Sequence, residues 1–434
     1  MRRLLLISPC FPPQSRVGAL RPLKFARHMT QHGWVPAVLA DLWSGTATDP
    51  DLLAAVPDST IVVRDYSRRA TPAFAAFEAA SRRPAPAEAP RVRGPSQRGE
   101  NASPRWLPAL LDNPELIPLG EHAPRMPYAL RAARRVLERY PCDAIMVNAD
   151  PFAACLVGAR LKRETGLPLI IDLRDPWALC ELRRPMRPLP IRALIDRLER
   201  DVVRTADRVI LNTETTLQDY RAHYPDLPPE RFTCIRNHAD RELIGHGSHP
   251  GFDRYTLLFL GNFGRFIKAD VLIRVLAELR RRGIDEKSVQ LVVTGNFPET
   301  SWRMAQGMGV AAMIHLHTHV PYRQIGAIMD AADLLVLLIQ PRGRQRLAAK
   351  LFDYLVSERP VLAISESVEL RDLLARSGAG SAFDYAEISA IADHIASEIA
   401  AGRGRRVTRN AVGATSEEAT AALCGHLDAI VGAT

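Results

Sequence analysis

Two stretches share the opening Gly-Asn-Phe directly after an apolar run: Gly261-Asn262-Phe263-Gly264-Arg265-Phe266-Ile267-Lys268 and Gly295-Asn296-Phe297-Pro298. Glycine at a strand end lets backbone approach a ligand closely, and a helix N-terminus behind such a loop favours anions. Arg265 and Lys268 then stand where they can face phosphate oxygens, bordered by Gly261, Asn262, Gly264, Gly295 and Asn296. Plain turns with exposed cations share this spacing, so the loops alone are a weak signal. Lys350 and Asp353, with Leu351 between them, are neighbours on one helix face. A cation for a diphosphate and a carboxylate for ribose hydroxyls is one reading; a surface ion pair that contributes little is the other. His315, His317 and His319 alternate as they would on one face of a strand, superficially like metal ligands. The loop that begins at His319-Val320 is read instead as backbone contact with a nucleotide base, and neither a metal nor a cofactor is expected.

Such loops need strands that end at them and helices behind them. Short apolar runs at 4–8 and 35–40 flank a helical stretch at 19–32 closed by Gly33, the β-loop-α-β order that opens a parallel sheet. Strands follow at 144–148, 169–172 and 209–212, alternating with helices at 128–140, 152–165, 192–205 and 215–223, the last capped by Thr213. A polar stretch with Gly245, Gly247 and Pro250 reads as a linker. Strands then recur at 256–260, 289–294, 314–317, 334–339 and 361–364, with helices at 270–282, 322–332, 348–357 and from 369. Runs this uniformly apolar belong to sheets covered on both faces. The pattern predicts an α/β chain with a first domain over 1–240, a linker over 241–254 and a second domain over 255–413, followed by a segment at 414–434. From 69 to 105 the composition turns to Ala, Pro, Arg and Ser without periodicity, which predicts a mobile insertion.

A length of 434 residues exceeds what one core usually serves, which agrees with two domains. No apolar run approaches the roughly 20 residues that span a bilayer. Six scattered cysteines without a CxxC pair argue against a zinc site or a disulfide framework and for a reducing cytoplasm. The formal charge of +9 is spread along the chain without a nucleic-acid motif, so anionic small molecules or anionic lipid head groups are the expected partners and nucleic acid is not. Arg131, Arg134 and Arg135, and then Arg183, Arg184 and Arg187, are the basic groups expected to meet a membrane face, with ordinary solvated surface as the alternative.

Ser8-Pro9-Cys10-Phe11-Pro12-Pro13 through Val17-Gly18-Ala19-Leu20-Arg21-Pro22 resembles the N-terminal signature of family 4 glycosyltransferases. Asp150-Pro151 and Asp172-Leu173-Arg174-Asp175-Pro176-Trp177 resemble a subgroup of surface-polysaccharide assembly enzymes, and Lys350 to Leu355 with Arg359-Pro360-Val361 resembles the family's donor-binding helix and next strand. The resemblance covers nearly the whole chain outside the insertion. It implies a GT-B fold, two facing Rossmann-like domains with parallel sheets, and a last helix over 414–434 that crosses back to the first domain. It further implies a retaining transfer from a nucleotide-sugar donor to a glycan, lipid-linked or small-molecule acceptor at the cytoplasmic membrane face. Arg265, Lys268 and Lys350 would stabilise the leaving diphosphate, Asp150 would act at the acceptor hydroxyl, and Gly18, Arg21, Arg174 and Asp175 would lie on the acceptor or interdomain side. Two departures stand out: Gln345 and Asp353 occupy the places of two family glutamates, and Cys155 that of a subgroup histidine. A transferase, an epimerase or hydrolase of nucleotide sugars on the same fold, and a binding homologue without turnover therefore compete.

Overall fold

The structure, a computed structural model, describes residues 1–41, 47–66, 119–149, 151–245, 247, 249–264, 267–317 and 320–432, with 120–122 in backbone only. The expected insertion over 69–105 lies outside the described residues. In chain order the first half forms β1 (Arg2–Ile7), α1 (Val17–His28), β2 (Trp34–Leu39), α2 (Pro50–Ala54), β3 (Ile61–Val63), α3 (Met126–Arg139), β4 (Ala144–Asn148), α4 (Ala153–Thr165), β5 (Leu169–Leu173), α5 (Leu189–Thr205), β6 (Arg208–Leu211), α6 (Glu214–His223) and β7 (Phe232–Cys234). The second half forms α7 (Arg241–Ile244), β8 (Tyr255–Leu260), α8 (Asp270–Arg281), β9 (Val289–Thr294), α9 (Glu299–Gly307), β10 (Ile314–His317), α10 (Ile325–Ala331), β11 (Leu334–Leu338), α11 (Ala349–Leu355), β12 (Val361–Ile364), α12 (Val368–Ser377), β13 (Gly380–Phe383), α13 (Ile388–Ala400) and α14 (Ser416–Gly432).

The chain divides into two compact units, one of Met1–Leu211, Asp219–Thr233 and Leu423–Thr434, the other of Asn212–Gln218 and Cys234–Ala422. The first unit is built on a seven-stranded sheet in the order β3-β2-β1-β4-β5-β6-β7. β1 pairs in parallel with both β2 and β4, so the run Leu4 to Ile7 lies at its centre and is fully buried. The far end of α14 packs with this unit, where Asp428 accepts from Arg2 at 2.7 Å and from the Trp34 indole at 3.0 Å.

The second unit carries a six-stranded parallel sheet in the order β10-β9-β8-β11-β12-β13. Alternate residues of one strand serve opposite faces. Tyr255, Leu257 and Phe259 of β8 join one apolar cluster with α8 and α13, while Leu258 and Leu260 join the other with α10, α11 and α12. Burial on both faces is the reason these strands read as unbroken apolar runs. Thr213 caps α6 as expected, its hydroxyl accepting from the Thr216 N–H at 3.0 Å. No helix among the described residues is long and apolar enough to cross a membrane.

Candidate functional site

β8 and β9 are neighbours, so the two Gly-Asn-Phe loops leave the sheet side by side. They are joined by four hydrogen bonds. Gly261 N–H donates to Thr294 O at 3.1 Å, Phe263 N–H to Asn296 O at 2.9 Å, Asn296 N–H to Asn262 Oδ1 at 2.8 Å, and Asn296 Nδ2 to Phe263 O at 3.1 Å. Beneath them Phe263 stacks on Phe259 with centroids 4.2 Å apart. Gly295 has φ +148°, and a Cβ there would collide with the Gly261 carbonyl, so only glycine lets the loops close up. At Gly261, φ +136°, a Cβ would strike the Lys350 ammonium.

That contact places Lys350 directly behind the paired loops. From the first turn of α11 its Nζ donates to the Leu260 carbonyl and sits 4.8 Å from the centre of the Phe259 ring. Burial lowers its pKa to about 8, against an opposing pull from Asp353. Asp353 is 4% exposed and accepts from the Tyr322 hydroxyl at 2.8 Å, which with burial holds the Tyr322 phenol well above its ordinary range. Lys268 is exposed beside Gly264, Val320 is half-buried, and Leu351 lies in the core with its N–H bonded to Ala348 O at 3.0 Å. Arg265, His319 and Asp150 fall outside the described residues. His315 and His317 sit on the edge strand β10, and no three potential metal ligands come together among the described residues.

Between β11 and α11 the chain makes a tight turn, Gly343 N–H to Gln340 O at 3.0 Å, with Pro341 and Arg342 at its centre. Arg342 has φ +61°, which costs a residue with a side chain on the order of 1 kcal/mol. Its N–H donates to Glu366 at 3.0 Å. Gln345 is buried.

In the first unit Arg21 reaches from α1 to Asp172 at the end of β5 and grips it with two bonds of 2.8 and 2.9 Å. Both are buried, and the guanidinium also lies 5.0 Å from the centre of the Phe25 ring. Gly18 serves the start of α1. Pro22 lacks the N–H that would bond the Gly18 carbonyl, and Asn148 Nδ2 at the end of β4 donates to it instead, at 3.3 Å. Arg174 and Asp175 are partly exposed and 3.8 Å apart. Trp177 is buried and stacks on Phe152 at 5.3 Å. The next N–H, Ala178, donates to Glu199 at 2.7 Å, and Glu199 also accepts from Tyr220 at 2.6 Å and Tyr224 at 3.2 Å. Burial raises the Glu199 pKa, with these donors opposing. Cys155 is buried in α4, and burial pushes its thiol far up.

The basic clusters are largely engaged within the chain. Arg134 bridges Glu164 through two bonds, Arg135 meets Asp65 at 2.5 Å, Arg184 pairs with Asp196, and Arg187 is buried against the Trp177 carbonyl. Tyr322, Phe259 and Glu199 are the side chains that sequence reasoning passed over. Tyr322 alone left a signal, as a polar aromatic at the strand-end loop where a base contact was sought.

Two parallel α/β units with ligand-type loops at the strand ends have the architecture of GT-B glycosyltransferases, and the solved structures bear this out. The chain belongs to Glycosyltransferase Family 4, whose model matches residues 23–243, about half of its length. It is similar to sucrose-phosphate synthase from Thermosynechococcus elongatus, with a TM-score of 0.60 and 12% identity over 100% of this chain and 97% of that one. A TarM variant from S. aureus, solved with fondaparinux, alpha-GlcNAc-glycerol and UDP, gives 0.57 and 9% identity over 99% and 96%. In sequence, the D-inositol 3-phosphate glycosyltransferase of Corynebacterium aurimucosum is 25% identical over 219 residues, 46% of this chain and 51% of that one. The chain thus spans about half the length of that relative.

Proposed function

We propose that the protein transfers a sugar, with retention at the anomeric carbon, from a nucleoside-diphosphate donor to a hydroxyl of a glycan, lipid-linked or small-molecule acceptor. The observation that carries the reading is the pair of hydrogen-bonded glycine loops with the half-buried Lys350 ammonium behind them. Negative charge grows on the diphosphate as its bond to the sugar breaks. A cation fixed in place beforehand stabilises that charge without reorganising. The C1–O bond to phosphate breaks, a C1–O bond to the acceptor oxygen forms, and the acceptor's proton leaves with the nucleoside diphosphate. Lys350, with Lys268 and Arg265, is assigned to the diphosphate, Asp353 to ribose hydroxyls, Val320 and His319 to the base, and Asp150, Arg174 and Asp175 to the acceptor. No metal is assigned. UDP in the TarM complex is one donor class to begin with.

Titration of a panel of nucleotide sugars, followed by mass analysis of products, tests the reading. A glycosylated acceptor supports transfer. A changed free sugar nucleotide would mean epimerisation, and binding without turnover would mean a binding homologue.

For the membrane face, the first turns of α5 offer a better basis than the two arginine clusters. Leu189 and Leu194 are 74% and 43% exposed, and Arg197 and Arg200 are exposed on the same helix. Anionic lipid attracts each nearby arginine by about 1 kcal/mol, and salt screens it. We expect sedimentation with anionic vesicles but not neutral ones at low salt, weakened by Leu189→Asp. Equal absence from both would exclude membrane attraction.

A further inference from the structure

The segment that leads into α11 is tied down by side chains far earlier in the chain. Asn212 follows β6 and Asn237 follows β7, and both are 5% exposed. The Asn237 N–H donates to Asn212 Oδ1 at 2.6 Å. Their two Nδ2 groups then converge on a single atom, the Leu347 carbonyl oxygen, at 3.3 and 3.2 Å across 135 and 110 residues of sequence. Two donors match the two lone pairs of that oxygen. Two residues before it, the hydroxyls of Thr213 and Thr216 lie 3.5 and 3.4 Å from the Gln345 carbonyl, a weaker pair of ties. All of these residues belong to the second unit, including Asn212–Gln218, although β6 belongs to the first.

What the ties hold is the entry to α11. That helix has only seven residues and no side-chain N-cap, so its start is fixed by the burial of Leu347 and Leu351 together with these ties. Lys350 is three residues after Leu347, in its first turn, and Asp353 one turn on. Displacing the loop would move the base of the Lys350 side chain relative to the Leu260 carbonyl and the paired glycines.

We propose that Asn212 and Asn237 are positioning residues of the diphosphate site, setting the place of Lys350 and Asp353 through the Leu347 carbonyl. The proposal rests on the reading above that the second unit holds a nucleoside diphosphate. Either single alanine variant keeps one amide donor on Leu347, although Asn212→Ala also removes the acceptor of the Asn237 N–H, and the double variant leaves only the weaker threonine ties on Gln345.

The test titrates UDP and GDP calorimetrically into the full chain, the two single variants, Asn212→Ala/Asn237→Ala, and the core control Ile395→Ala, with melting temperatures for all. Ile395 is buried on α13, in the other apolar cluster. Each single variant should bind within about threefold of the parent and the double variant at least tenfold more weakly, at a temperature where its circular dichroism is native. The control should lose melting temperature but keep its affinity. Parent-like affinity in the double variant overturns the proposal, as does an equal loss in the control, which would make the effect one of general stability. A parent chain that binds none of UDP, GDP, ADP, CDP and dTDP, each titrated in the same way, overturns the donor reading itself and this proposal with it. If the double variant does not fold, Asn237→Asp replaces it: it sets an oxygen against the Leu347 carbonyl, and the same tenfold loss is required.

Discussion

Replacing Lys350 by methionine is expected to weaken nucleoside-diphosphate binding about a hundredfold while leaving the fold at least as stable. A charge-assisted hydrogen bond removed from a dry site costs roughly 3 kcal/mol, which is the hundredfold. Stability should move the other way, because the half-buried ammonium carries a desolvation penalty that a methionine of similar length does not. The pH dependence separates the two effects. The folded chain holds this lysine at about 8, below the ordinary 10.5, so between those values it binds fewer protons than the unfolded chain. Stability from this group therefore rises as pH climbs from about 8 to 10.5, and below 8 both states are charged and the gain is absent. A diphosphate beside the ammonium draws its pKa back up. Binding at pH 8, where the group is half protonated, should take up at most about half a proton, seen as a dependence of calorimetric heat on the ionisation enthalpy of the buffer, and methionine should abolish it. Unchanged affinity of the variant at pH 7 would remove Lys350 from the site.

The same lysine shows what sequence alone could reach. The adjacency of the two glycine loops was legible because β8 and β9 are consecutive parallel strands of apolar residues, and neighbours in such a rhythm end their loops on one edge of the sheet, whereas the contact of Lys350 with Leu260 was not. Strands at 144–148, 289–294, 314–317 and 361–364 were read to the residue for that reason. β7 and β13 escaped because Phe232-Thr233-Cys234 and Gly380-Ser381-Ala382-Phe383 are short and carry no aliphatic run, and α9 because Pro298 resembles a loop more than a helix entrance. Partners distant in sequence were illegible on physical grounds. Whether Tyr322 meets Asp353, or Arg21 meets Asp172, depends on strand order and crossing, to which neither local propensity nor spacing is sensitive. Arg21 was accordingly read toward the acceptor, and its guanidinium is found on Asp172, 151 residues away.

Asp172→Ala is therefore expected to be among the most destabilising single changes in the first unit, costing about 3–5 kcal/mol. The two side chains are 4% and 1% exposed and share two bonds below 3 Å, so removing the carboxylate leaves a buried guanidinium deprived of that counter-charge. The loss should show in urea unfolding as a lower midpoint at unchanged slope. Exchanging both partners, Arg21→Met with Asp172→Leu, removes both charges at similar volume and should return stability to within about 1 kcal/mol of the parent. That pair also separates structure from chemistry. If the double exchange restores stability and transfer together, the ion pair serves the fold alone; restored stability with lost transfer would mean that the Arg21 guanidinium, held by Asp172 at the head of the Asp172-to-Trp177 segment, also orients the acceptor. A single variant as stable as the parent would show that the pair is not buried as described.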